Sequence, residues 1–95
     1  MRDYELVTIL SPEVDEEEVS KTVDKLAASI DDKGGTVKET NKWGKRKLAY
    51  PLRKFMEGNY ILTRFKLEPN FVKALETEIK GWEEVLRFLV IKTED

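Results

Sequence analysis

Six cations fall between Lys42 and Lys54, interleaved with Trp43 and Tyr50 and with no acid among them: Lys42, Lys45, Arg46, Lys47, Arg53 and Lys54. Such cations neutralise phosphates and aromatic rings stack on unpaired bases, so the window suits an RNA backbone with its bases. It equally suits a solvated edge strand whose Lys residues prevent edge-to-edge aggregation. Composition alone gives the two readings equal weight. The chain's net charge of −2 argues against a polyanionic partner, but subtracting the six cations leaves −8 elsewhere. That asymmetry carries more information than the total.

Other chemistry is hard to build. There is no Cys and no His, which removes thiolate nucleophiles, Cys-based zinc sites and the commonest general base. Ser11, Ser20 and Ser29 therefore have no imidazole to activate them. The run Asp15-Glu16-Glu17-Glu18 reads as a complement to a helix N-terminal dipole rather than a metal site, and no other cluster has metal-ligand spacing. Acylphosphatases use an Arg-lined phosphate loop with an Asn; the turn Ser11-Pro12-Glu13-Val14-Asp15 is acidic, has no Gly or Arg and would repel phosphate, which argues against that reading. The segment Gly58-Asn59-Tyr60-Ile61-Leu62-Thr63-Arg64-Phe65 loosely resembles the aromatic strand of the RRM fold. Only Tyr60 would be an exposed aromatic there, and core packing explains Phe65 better. No catalytic residue, metal, cofactor or small-molecule substrate is expected.

The elements that must hold the basic window follow from periodicity. Arg2 to Leu10 reads as a strand with Tyr4, Leu6, Thr8 and Leu10 on one face and Glu5, Val7 and Ile9 on the other. Both faces are partly apolar, so the strand should be central. A helix follows, with Asp15 as N-cap, Glu18 closing a capping box, and Val14 and Val19 at the staple positions. Val19, Val23, Leu26, Ala27 and Ile30 form its apolar stripe, and Gly34-Gly35 ends it. Thr36 to about Pro51 reads as a long edge strand with a bulge or bend at Gly44. Arg53 to Gly58 is expected to be the turn, and Asn59 to Leu67 the return strand with Ile61, Thr63, Phe65 and Leu67 facing the core. Glu68-Pro69-Asn70 opens a second helix, whose stripe is Val72, Leu75 and Ile79, flanked by Phe71 and Trp82. Val85 to Thr93 is the last strand.

The order β-α-β-β-α-β with right-handed crossovers predicts an α+β, ferredoxin-like domain over residues 1–95: a four-stranded antiparallel sheet with two helices on one face. Leu26, Ile30, Phe65, Leu75 and Ile79 should lie between the layers. The other face would carry Val7, Ile9, Tyr60, Leu62, Arg64, Arg87, Leu89 and Ile91, too apolar to be left wholly to water. A chain of 95 residues with 40% hydrophobic content supports one such core. Met1-Arg2-Asp3-Tyr4 lacks the features of a signal peptide, no run approaches a membrane span, and the lack of Cys fits a reducing compartment. A cytoplasmic location is the expectation.

Trp43-Gly44-Lys45-Arg46-Lys47-Leu48-Ala49-Tyr50-Pro51-Leu52, then Lys54, Gly58 and Tyr60, resembles the signature of the family of the sixth protein of the bacterial small ribosomal subunit. The opening Met1-Arg2-Asp3-Tyr4-Glu5 and the strand from Val85 to Lys92 are similar to that family too, in order and over essentially the whole length. The resemblance implies a ferredoxin-like fold without catalytic activity. It also implies binding to the central domain of small-subunit ribosomal RNA as a heterodimer with the eighteenth small-subunit protein. Residue by residue, it carries RNA contact onto Arg2, Arg46, Arg87 and Lys92, with Lys45, Lys47, Arg53 and Lys54 as weaker additions. Many members of the family have an acidic C-terminal extension, so partner contacts made by such a tail are not carried over onto the short Thr93-Glu94-Asp95. The competing class is a ferredoxin-like module that oligomerises or senses a small molecule through the open sheet face.

Overall fold

In a computed structural model the described residues are 1–93; the acidic Glu94-Asp95 lies outside them. The elements are β1 (Arg2–Leu10), α1 (Glu16–Asp32), β2 (Thr36–Leu52), β3 (Phe55–Leu67), a 3₁₀ turn at Pro69–Phe71, α2 (Val72–Lys80) and β4 (Val85–Lys92). The strands form one antiparallel sheet in the order β2-β3-β1-β4. This is the expected ferredoxin-like arrangement, with β1 central.

Each helix starts where its chemistry allows. The Asp15 carboxylate accepts from the Glu18 amide at 2.8 Å, and the Glu18 carboxylate accepts from the Asp15 amide at 3.4 Å, so the capping box forms. Two amides that a helix start leaves without partners are thereby satisfied. α2 enters through Pro69 in the 3₁₀ turn, where the missing N–H of proline costs little. Alternation along β1 and β3 puts Tyr4, Leu6, Leu10, Ile61, Phe65 and Leu67 against the helices, where they pack with Val19, Leu26, Ile30, Leu75 and Ile79.

Thr22 and Ser29 are also buried on α1, although periodicity marks only its apolar stripe. Their hydroxyls are satisfied across the fold. Thr22 donates to Glu84 at 2.8 Å and Ser29 to Glu78 at 2.6 Å, while Lys25 and Lys33 pair with the same two carboxylates at 2.9 and 2.8 Å. The Lys33 hydrogen bond, then that of Ser29, holds the Glu78 carboxyl below its ordinary value of 4.5. For Glu84 burial pushes upward, but the bonds from Lys25, its own backbone and Thr22 outweigh it, and its carboxyl is lowered too. A depressed carboxyl contributes stability that is present above its ordinary value and lost as pH falls through the folded one. Resistance to urea should therefore decline below pH 4.5, the ordinary value of both groups. Glu78→Gln should lose stability at neutral pH and show a shallower fall toward about pH 3. Parallel pH profiles for parent and variant would show that Glu78 does not contribute.

The β2–β3 connection departs from expectation. The turn is Arg53-Lys54 alone, with φ of 48° and 73°, and β3 begins at Phe55 rather than Asn59. Gly58 lies within the strand, not in the turn. A Cβ there would meet Ile9 Cγ2 at 2.5 Å and the Leu10 carbonyl oxygen at 3.1 Å, so a glycine serves the close approach of β1.

Candidate nucleic-acid interface

β2 outruns the body of the sheet. Its pairing with β3 passes Lys45 opposite Asn59, which is where β1 ends at Leu10, and continues through Arg46–Gly58 and Lys47–Glu57 to Leu52–Phe55. A two-stranded arm thus extends about four residues, roughly 13 Å at strand rise, beyond β1. Gly44, at φ 80°, sits where the register shifts between Lys42 and Gly44. That is the bulge expected from sequence, and it re-aims the strand as the arm begins.

Register decides which way the cations point. Arg46 lies opposite Gly58, in phase with Tyr60, on the face without helices; Lys45 and Lys47, opposite Asn59 and Glu57, lie on the other. Lys42 turns toward α1 and donates to the Ser20 hydroxyl at 3.0 Å. Arg87, opposite Ile9, joins Arg46 on the open face. Its guanidinium donates to the Tyr50 hydroxyl and lies over that ring, 5.9 Å from the centroid. Arg53, at the tip, donates to the Glu83 carbonyl at 3.2 Å. The arm is therefore tied back against the sheet near the start of β4.

Tyr50, Leu48 and Leu52 of the arm, with Val7, Ile9 and Leu89 of the sheet, line an apolar cleft of about 270 Å³ on the open face. Leu89 and Ile91 are 52% and 42% exposed, as the apolar pattern of β4 foreshadows. Beside the cleft, Trp43 stacks on Tyr60 with ring centroids 6.3 Å apart, and Arg46 lies 5.3 Å from the Trp43 ring centroid. Sequence pairs the basic window with Trp43 and Tyr50 but does not reveal the Trp43–Tyr60 stack, because a cross-strand contact is legible only once register is known. Arg64, also on this face, is held by Glu5 at 3.0 Å and Glu39 at 3.4 Å.

The eight candidate cations do not converge. Lys45, Arg46, Lys47, Arg53, Lys54 and Arg87 gather at and around the arm. Arg2, opposite Leu67, and Lys92, opposite Tyr4, stand at the far end of the sheet. Seven residues of β1 separate Arg2 from the level of Arg87, about 23 Å at strand rise. All eight side chains are exposed. Among the described residues there is no cluster of acidic ligands that could hold a metal ion. Arg2 and Lys92 are in phase with the core residue Tyr4, on the side of the sheet that carries the helices, so only Arg46 and Arg87 share the open face with the aromatic and apolar surface.

Comparison with known proteins gives this arrangement a context. Residues 3–92 match the family model described as Ribosomal protein S6. The chain is 40% identical to small ribosomal subunit protein bS6 of Clostridium novyi, over 99% of both chains. It is also 40% identical to bS6 of Caldanaerobacter subterraneus subsp. tengcongensis, over the full length of both. Its structure resembles the crystal structure of 30S ribosomal protein S6 from Thermotoga maritima, with a TM-score of 0.91 at 29% identity, covering 97% of this chain and 87% of that one.

Proposed function

The chain belongs to the ribosomal protein S6 family, a family of ribosomal structural proteins rather than of enzymes, and from that premise we propose that it binds the central domain of small-subunit ribosomal RNA. It does so as a heterodimer with the eighteenth small-subunit protein, on cytoplasmic ribosomes. The match over the full length of relatives that are small-subunit proteins carries this reading. The surface supports it. Arg and Lys on the arm meet phosphates, and Arg adds a bidentate fork that Lys lacks. The −8 balance outside the basic window repels RNA, so a basic protein partner supplies charge and covers the apolar cleft. Copurification from cells tests the reading: the chain should migrate with small ribosomal subunits and leave them after ribonuclease or high salt. Migration as a free self-associated species would instead favour the oligomerising module.

Arg46 should matter more to RNA binding than to folding. It is exposed, and its one described ring contact is worth about 0.5–1 kcal/mol at such a site. A well-formed charge-assisted bond to phosphate is worth about 1.5–3 kcal/mol. Arg46→Ala should leave the unfolding midpoint close to the parent's and weaken incorporation into ribosomal particles by about 10- to 150-fold. Arg46→Lys should recover part of that loss. Assembly of Arg46→Ala at the parent's level at physiological salt would leave Arg46 without a role in RNA binding.

A further inference from the structure

A two-residue hairpin turn with both central residues at positive φ is the geometry that Asn-Gly or Gly-Gly adopts at least cost. Here it is made by Arg53 and Lys54, at φ 48° and 73°. Residues with a Cβ populate this region sparingly, and neither Arg nor Lys can make the short local hydrogen bonds that let Asn tolerate it. Packing does not account for the choice. Both side chains are exposed. Arg53 donates to the Glu83 carbonyl and lines a shallow hollow with Val85 and Leu86, whereas among the described residues Lys54 is in no ion pair. At Lys54, backbone strain that no described contact rewards points to a use for the side chain itself.

The position gives that use. The turn caps the arm that extends past β1, so it is the part of this end of the molecule farthest along β2 and β3. Lys45, Arg46 and Lys47 line the arm behind it, and Glu57 is the one acid on it. Two cations on adjacent residues of a tight turn sit close enough to meet neighbouring phosphates, and a narrow tip can follow a backbone into a concave surface. We propose that the Arg53–Lys54 turn accepts backbone strain in order to place two cations against the phosphates of folded RNA at the tip of the arm. This rests on the RNA-binding reading above, which already counts both cations, and deepens it by giving the strained turn as the device that holds them at the tip.

Lys54→Gly in the full chain separates the two halves of the proposal, because it relieves the φ of 73° and removes one cation while leaving the Arg53 bond to Glu83 in place. The probe is a transcript of the central domain of small-subunit ribosomal RNA, titrated in the presence of the partner protein over a range of salt. The variant should melt a few degrees above the parent, the strain relieved less the added freedom of an unfolded glycine. It should also bind several-fold more weakly, with a log–log salt slope shallower by about one, the signature of one lost phosphate contact. A shallower slope is not something a purely structural change produces. Lys54→Asn, which keeps a left-handed-tolerant residue without the charge, should bind as weakly as the glycine variant. Binding by either variant with the parent's affinity and slope overturns the proposal, and so does a glycine variant no more stable than the parent. Failure of the parent itself to bind the transcript with a salt dependence would instead overturn the RNA-binding reading.

Discussion

Replacing Leu75 by alanine should lower the unfolding free energy by about 2–5 kcal/mol. Leu75 is fully buried, and α2, nine residues long, has only Leu75 and Ile79 as buried anchors. Truncation removes transfer energy and leaves a cavity that a short helix and a rigid sheet cannot close. Set against a total stability of about 5–15 kcal/mol for a domain of ordinary stability, that is a large share. Urea titration followed by Trp fluorescence should show a lower midpoint at an unchanged slope. A loss under about 0.5 kcal/mol, within the range of surface substitutions, would mean that the phase of α2 against the sheet is misassigned.

That residue was legible from sequence because burial follows period. The stripe of α2, the alternation of β1 and β3, and the Asp15–Glu18 capping box each state a local rule that the fold obeys. The same rules mislead at the β2–β3 connection. Gly58 signals a turn when read locally, yet its missing side chain makes room for Ile9 of a strand some fifty residues away in sequence. Arg53-Lys54, which does turn, carries no turn residue at all. Thr22 and Ser29 escape notice for a related reason. Their burial depends on Glu84 and Glu78, which lie on the far side of the chain's path.

RNA affinity of the chain with its partner should fall about 16- to 250-fold between about 50 and 200 mM salt. With about three to five phosphates contacted, the log–log slope is about −2 to −4. Eight exposed cations are available, but Lys45 and Lys47 face away from Arg46 and Arg87, and Arg2 and Lys92 stand at the other end of the sheet. One straight backbone cannot reach them all, which holds the count below eight. Filter binding across a salt series measures the slope directly. A flat response would sink the electrostatic mechanism, while a slope near −7 would mean that all eight contacts form at once. The purified chain alone should bind weakly, since −8 of charge lies outside its basic window.

The site was thus legible in kind but not in shape. The basic window and its aromatic residues stand out in composition, and the apolar open face follows from alternation. The stacking of Trp43 on Tyr60, the tie between Arg87 and Tyr50, and the division of the cations into two groups all depend on cross-strand register. No single strand encodes that register.

The order β2-β3-β1-β4 also sets a timetable for the molecule's own synthesis. The first strand made is the one that needs a neighbour on each side. About 75 residues must follow Leu10 before β4 begins at Val85, a delay of about 4–15 s at ordinary elongation rates. Through that interval Leu6 and Leu10, fully buried in the finished fold, have α1 and then β3 to pack on, but the edge of β1 that β4 will cover stays unpaired. Closure waits for the last strand to clear the tunnel. Holdase chaperones at the tunnel exit should therefore engage this chain early, and a ribosome stalled before Val85 should hold it open to protease.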